Sequence, residues 1–151
     1  MADSHRRLQE ALWDRAGRAI PSKGVLVTLE EFFTDNHDVG SVAPNLIEDA
    51  DNPVMRHPGV ATIWQRLREI RDRPDVSDVL VDVMVEWEEY PAGEWPYAQG
   101  IPVITTATPT MVDGWIEGLN ADPCGEGFGD DQWVNPPVVP PGYGIVTIWW
   151  D

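Results

Sequence analysis

The chain has 151 residues, a formal net charge of −16, 42% hydrophobic residues and one cysteine. This length suits a single domain with a sizeable core, and the apolar content excludes general disorder. The single cysteine, Cys124, excludes an internal disulfide and a cysteine-rich zinc site, and it favours a reducing cytoplasm. The excess of acids opposes binding to nucleic acid and to anionic lipid. Because the first twenty residues contain no continuous apolar run, we expect a cytoplasmic protein without a signal peptide or membrane anchor.

The charge is distributed unevenly along the chain. All 10 Lys and Arg residues lie between Arg6 and Arg73, together with 12 acids, whereas residues 74–151 contain 14 acids and no Lys or Arg. The two parts therefore carry −2 and −14. A field of this sign attracts cations and basic proteins, although an acidic surface also serves solubility alone.

Hydrophobic periodicity predicts an N-terminal amphipathic helix over residues 1–20, with Ser4 as its N-cap. A short buried strand is predicted at residues 24–28. It runs into Thr28-Leu29-Glu30-Glu31, a capping-box pattern that predicts one further helical turn. Residues 35–57 are rich in Asp, Asn, Gly and Pro and are expected to be irregular.

The later elements are predicted from apolar stripes, strand alternation and breakers. In chain order they are a helix that begins at Pro58, strands at 79–87 and 101–106, a helix from Thr108-Pro109, and a strand at 144–150. In the first of these helices Glu69 lies four residues before Arg73, a spacing that suits an ion pair.

Without the first helix, the order of elements is β-α-β-β-α-β. This order predicts an α+β fold, namely a two-layer ferredoxin-like βαββαβ sandwich with a four-stranded antiparallel sheet, strand order 4-1-3-2 and helices on one face. Another two-layer α+β sheet built from the same elements is the alternative. Residues 1–20 would form an extra N-terminal helix on a single domain of residues 21–151.

In the predicted topology, three long connections leave the sheet at one end, at residues 30–57, 88–100 and 120–143. They contain 14 acids and one base, Arg56, interleaved with aromatic residues. Aromatic anchors among charges of one sign are typical of protein-binding surfaces, and the charge speeds encounter with a basic partner. The alternative is that the aromatics pack the loops onto the core. The predicted partner-binding residues are Glu88, Glu89, Tyr90, Glu94, Trp95, Tyr97, Asp130, Asp131 and Trp133.

A divalent-metal site is the second hypothesis for this region. Asp35, His37, Asp38 and His57 supply oxygen and nitrogen ligands of the kinds that such ions prefer. Their spacing matches neither an EF-hand nor an HExxH helix, and a solvated turn rich in Asp and Asn explains the same residues.

Catalytic motifs give little support to an enzyme. The acidic neighbourhood of Cys124 should raise the pKa of its thiol rather than activate it. No motif assembles a nucleophile, a base and oxyanion donors. The sequence therefore favours a non-enzymatic role without a cofactor.

One part of the chain resembles a known group of small acidic bacterial proteins, whose common pattern is similar to L-E-x-F-F-x-x-N-x-D-x-G-S followed by Asn-Leu. The matching residues are Leu26 to Phe33, Asn36, Asp38, Gly40-Ser41, Asn45-Leu46, His57-Pro58-Gly59, Arg71 to Val76 and Trp149-Trp150-Asp151. The resemblance covers most of residues 24–151. It implies a bacterial, intracellular protein, and it carries no catalytic residue across.

These observations favour a binding protein that engages a basic protein, for instance an immunity protein that blocks a nuclease toxin. One alternative is a divalent-metal-binding or hydrolytic domain built on residues 35–57. Another is a structural module that oligomerises through an edge strand, with residues 148–150 as the candidate, or through the open face of the sheet. The protein is expected to be a monomer or a homodimer.

Overall fold

The computed structural model describes residues 2–16, 23–83, 95–126 and 132–150. The elements in chain order are α1 (Ala2–Ala16), β1 (Val25–Thr28), α2 (Leu29–Phe33), α3 (Val60–Arg71), β2 (Val76–Val83), β3 (Ala98–Thr105), α4 (Pro109–Trp115), β4 (Gly125–Glu126) and β5 (Gly144–Ile148). Within these described ranges, no helix has the length and apolar content needed to cross a bilayer.

The strands form one antiparallel sheet in the order β1-β2-β3-β5-β4. Val25 lies opposite Val83 and Thr28 opposite Leu80, so β1 and β2 are direct antiparallel neighbours. The α+β class and the antiparallel sheet are thus confirmed. The strand order 4-1-3-2 is not observed, and the two-residue strand β4 was not predicted.

Helix α2 accounts for the difference in strand order. In a ferredoxin-like sheet a single helix returns the chain, so the first two strands run parallel with another strand between them. Here α2 carries the chain back to the far end of the sheet, where Trp95 Nε1 donates to Phe32 O at 2.9 Å. Helix α3 then runs to the end of β1, where two hydrogen bonds of 2.7 Å join Arg71 to Glu30. Because α2 and α3 each carry the chain along the length of the sheet, in opposite directions, β2 begins at the end where β1 finishes and runs antiparallel to it.

The predicted capping box produces α2. Thr28 Oγ1 accepts from the Glu31 backbone N–H at 3.1 Å, and the Glu31 carboxylate accepts from the Thr28 N–H at 2.8 Å. Arg15 of α1 donates two further hydrogen bonds to Glu31, at 2.6 and 2.8 Å. Burial alone would raise the pKa of Glu31, but the hydrogen bonds from Arg15 and Thr28 lower it below its usual value.

The helices pack on one face of the sheet around a common core. Leu8 and Leu12 of α1 are fully buried in this core, so the N-terminal helix docks on the rest of the molecule. Ser4 does not cap α1, because it lies inside the helix and its hydroxyl donates to Asp35 Oδ2 at 2.7 Å.

Helix α3 buries Val60, Ile63, Leu67 and Ile70, as the apolar stripe predicted. The helix begins at Val60 rather than Pro58. Its N-cap is Gly59, whose φ of 98° lies in the region that favours glycine.

The predicted ion pair between Glu69 and Arg73 is wrong. Arg73 lies beyond the end of α3 and donates to Asp75 Oδ1 at 3.1 Å. Its guanidinium also stacks over the Trp115 ring, 4.0 Å from the centroid. These two contacts fix Arg73 on the α4 side and away from the α3 surface.

The outer edge of β1 is covered by residues 132–135. Val134 N donates to Gly24 O at 3.0 Å, and the Asn135 side chain bonds both the N–H and the carbonyl of Leu26 at 2.9 Å. At the other side of the sheet, β5 pairs with β3 and with β4. The C-terminal strand β5 is therefore second from the edge, covered by β4 at Val146 and Thr147, and Trp150 is buried with Nε1 donating to Leu119 O at 3.0 Å. Oligomerisation through this side of the sheet stays a prediction.

Candidate functional site

A pocket of about 320 Å³ lies on the sheet face opposite the helices. Strand alternation explains its position, because Val81 and Val83 of β2 enter the core while Asp82 between them faces the other way. The described residues that line the pocket are Asp82, Gln99, Gly100, Gly125, Gln132, Thr147 and Trp149.

The carboxylate of Asp82 is the charged group of this pocket, and only 3% of the residue is exposed. Gln99 Nε2 donates to Asp82 Oδ1 at 3.0 Å. The backbone of Gly24 passes so close that a Cβ at this position would overlap Asp82 Oδ1 and force the carboxylate to shift. Burial raises the pKa of Asp82 to about 6, against the opposing effect of Gln99 and the nearby Trp133 indole.

Three buried polar atoms on or beside the pocket make no hydrogen bond of standard geometry within the described residues. They are Gln132 Oε1, Trp133 Nε1 and Thr147 Oγ1. Trp133 Nε1–H nevertheless lies close enough to Asp82 to favour the ionised carboxylate. Thr147 is 9% exposed, so its hydroxyl is shielded from bulk solvent. A buried acceptor without a donor is costly, and such atoms mark positions suited to a ligand or water.

Sequence reasoning missed this pocket. Asp82 alternates with core valines, so the sequence pattern predicts an exposed residue on the solvent-facing side of the strand. Its burial depends on Gly24, Gln132 and Trp149, which are distant in sequence and near in space only in the folded sheet.

A second surface is formed by residues 47–56, here called the 47–56 loop. Its apolar side chains are exposed, with Ile47 at 60%, Val54 at 65% and Met55 at 42%. The acids of this loop, which are Glu48, Asp49 and Asp51, are exposed as well. The loop also contains the exposed base Arg56, whose Nε donates to Ala50 O at 3.1 Å, so its acids exceed its bases by two. Such a combination of exposed apolar side chains and an excess of acids is unusual for a surface that serves solubility alone.

The backbone of the 47–56 loop is held in place at both ends and in the middle. Ile47 N donates to Met55 O at 2.9 Å, and His57 N donates to Ile47 O at 2.8 Å. Asn120 Nδ2 donates to Pro53 O and Arg56 O at 2.8 and 2.7 Å. The exposed side chains are therefore presented on an ordered backbone.

Six of the predicted partner-binding residues lie outside the described residues. They are Glu88, Glu89, Tyr90, Glu94, Asp130 and Asp131. Among the others, Tyr97 is half-buried, Trp95 is 8% exposed and Trp133 is 2% exposed. Trp95 also contacts the His5 ring edge to face, at 5.2 Å between centroids. In this conformation the Trp95 indole contacts α1 and α2, and the Trp133 indole is buried beside Asp82, so both offer little surface to a partner.

The prediction that topology alone gathers the three long loops at one end is wrong. β1 leaves the sheet at the end opposite to the connection between β2 and β3, because the two strands are antiparallel neighbours. Helix α2 restores part of the proximity, since Asp38 Oδ2 accepts from Trp95 N at 3.4 Å.

The four predicted metal ligands are not brought together. Both ring nitrogens of His57 are engaged, because Nδ1 accepts from Gly59 N at 2.9 Å and Nε2 therefore donates to Val42 O at 2.8 Å. Asp38 Oδ1 accepts from Gly40 N at 3.0 Å, Asp35 accepts from Ser4, and His37 is exposed. In the described part of the chain, no three His, Cys, Asp or Glu side chains are arranged to hold a metal ion.

The predicted inertness of Cys124 agrees with its surroundings. Burial, reinforced by the Asp113 carboxylate, raises the pKa of the thiol to about 12. Asp113 also accepts from the Cys124 backbone N–H at 2.8 Å. The neutral thiol is a weak nucleophile.

Comparison with known proteins places the chain in a family. The chain belongs to the Uncharacterized protein YfbO family, whose model matches residues 4–148. It is 37% identical over 130 residues to the Uncharacterized protein YfbO of Escherichia coli (strain K12), which covers 83% of this chain and 82% of that protein. The expected resemblance to a group of bacterial proteins is thus confirmed. No solved structure matches the chain.

Proposed function

We propose that this member of the YfbO family is an acidic binding protein that engages a basic protein partner, in the manner of an immunity or inhibitor protein. The observation that supports this most directly is the 47–56 loop, in which three exposed apolar side chains stand among three exposed carboxylates.

The two kinds of side chain would contribute differently to binding. Burying Ile47, Val54 and Met55 against a partner removes apolar surface from water and slows dissociation. The carboxylates of the loop would accelerate encounter with a basic surface, in a way that added salt weakens. A surface needed only for solubility would have no use for the apolar group.

The order of the loop backbone also favours binding. Because hydrogen bonds from Asn120 and within residues 47–57 already fix the loop, its association would lose little backbone entropy. The partner chemistry follows from the net charge of −16. A nuclease whose active site is basic in order to hold nucleic acid would fit this requirement, and the loop acids would then lie where phosphates otherwise bind.

The experiment is a capture of partners from the native bacterial lysate on the immobilised full chain, at low and at moderate salt, with identification by mass spectrometry. Two triply neutralised variants are compared with the wild type. The test variant is Glu48→Gln/Asp49→Asn/Asp51→Asn, and the matched control, which removes three exposed acids elsewhere, is Glu10→Gln/Asp14→Asn/Glu69→Gln.

We expect one basic protein to be retained stoichiometrically by the wild type and the control and released as salt rises. The test variant should associate with the partner more slowly, and its binding should depend less on salt. Val54→Ser should mainly accelerate dissociation. Equal retention by the test variant and the control would refute the role of the loop. Recovery of no basic partner, also when toxin-like genes near the coding gene are expressed, would refute the proposed function.

A further inference from the structure

We infer that the pocket around Asp82 binds a cationic group, an ammonium or guanidinium carried on a short apolar stem. This site shares no residue with the 47–56 loop, so the inference stands apart from the proposed function.

The charge of the pocket points to the sign of the ligand. Asp82 is 3% exposed, and its one side-chain hydrogen bond of standard geometry among the described residues comes from the neutral amide of Gln99. The described lining contains no Lys, Arg or His. Buried carboxylates in proteins are normally paired with a cation or a metal ion. A ligand cation would supply the countercharge that the described lining lacks.

The neutral polar atoms point to a ligand with several donors. Gln132 Oε1 can only accept hydrogen bonds, and Thr147 Oγ1 can accept as well as donate, yet neither has a partner in the described structure. Together with the Asp82 carboxylate, they provide three acceptors on residues that line one pocket. An ammonium has three N–H donors and a guanidinium five, so either group has enough donors for these acceptors.

The walls suit the stem of such a ligand. Gly100, which is buried, and Gly125, which is exposed, add no side chains to the walls, and Trp149 is 38% exposed. An indole face attracts cations and also packs against methylene groups. A volume of about 320 Å³ lies at the small end of the range of about 300–1,000 Å³ for ligand sites. The pocket therefore fits one cationic group with a few methylenes rather than a large cofactor.

The test is a titration of the ¹⁵N-labelled full chain at pH 7.5, followed by NMR. The reporters are the side-chain amides of Gln99 and Gln132 and the indole of Trp149. The probes are butylammonium and butylguanidinium, with butanol as the neutral analogue. N-acetyl-lysinamide and N-acetyl-argininamide form a second arm, which distinguishes a side chain of another protein from a free small amine as the natural source.

Three variants accompany the wild type. Asp82→Asn removes the charge with little change of shape, and Thr147→Val removes one acceptor. Asp78→Asn is the matched control, because it removes a carboxylate from the same strand outside the pocket.

We expect saturable shifts of the three reporters with the cationic probes in the wild type and in Asp78→Asn. Binding should be weaker by about tenfold or more in Asp82→Asn and by a smaller factor in Thr147→Val. Binding of the blocked amides would assign the site to a partner's Lys or Arg, and binding of the free amines alone would assign it to a small molecule. Equal binding of butanol, unchanged affinity in Asp82→Asn, or shifts that do not saturate would overturn the inference.

Discussion

Asp82 offers a sharp test of the electrostatics of the sheet. Burial raises its pKa from 3.8 to about 6, so the folded protein holds this proton more tightly than the unfolded chain does. Stability is therefore lost as pH rises from the unfolded to the folded value. Each unit of difference between the unfolded and the folded pKa corresponds to about 1.4 kcal/mol. Above pH 7 the ionised carboxylate therefore destabilises the fold by about 3 kcal/mol.

The perturbation is Asp82→Asn, which keeps the shape and the oxygen that accepts from Gln99 but cannot ionise. We expect the variant to be more stable than the wild type at pH 8. The same linkage relation predicts that the difference in free energy of unfolding grows by about 1.4 kcal/mol between pH 5 and pH 8. Urea unfolding at several pH values measures it, with Asp78→Asn showing how much of any trend comes from net charge alone. A difference between Asp82→Asn and wild type that does not change with pH would refute the assignment of a raised pKa to Asp82.

Three further predictions concern the core, the cap and the thiol. Leu12→Ala should lower the free energy of unfolding by about 2–5 kcal/mol because Leu12 is fully buried. Glu10 is exposed, so Glu10→Ala should change it by less than about 0.5 kcal/mol. Similar urea midpoints for the two variants would mean that α1 does not dock on the rest of the molecule. Glu31→Gln should lower the free energy of unfolding by about 1–2 kcal/mol, because it weakens the capping box and the ion pair with Arg15. Because the pKa of Glu31 is lowered in the folded protein, this loss should shrink as pH falls towards the folded pKa. A loss that does not change with pH would contradict this explanation. Cys124 should react with iodoacetamide at pH 8 far more slowly in the native protein than in urea, and equal rates would show that its thiol is not shielded.

Local patterns predicted most of the elements, because capping, alternation and apolar stripes are short-range signals. The Thr28-to-Glu31 box and the buried positions of α3 were identified from sequence and are observed. The predicted strand order, 4-1-3-2, was wrong, because the order depends on whether the short helix α2 carries the chain back along the sheet. That property is set by contacts such as Trp95 to Phe32, which no local pattern encodes.

The candidate sites also combine features that the sequence predicted with features that only the folded structure shows. The acids of residues 48–51 were visible in the sequence, but the exposure of Ile47 and Val54 was not, because apolar residues are normally assigned to the core. The importance of Asp82 was hidden for the opposite reason. An acid in an alternating strand is normally assigned to solvent, and only the approach of Gly24 and residues from the C-terminal part encloses it.

The pairing of Asn135 with Leu26 has a consequence for synthesis of the protein. The two residues are 109 positions apart, so the outer edge of β1 stays uncovered until residues 132–135 have left the ribosome. An uncovered strand edge invites pairing with other chains, and contacts of such long range form slowly. We therefore expect nascent chains to be most prone to aggregation just before residues 132–135 emerge, and a chaperone that shields β1 would be most useful in that interval.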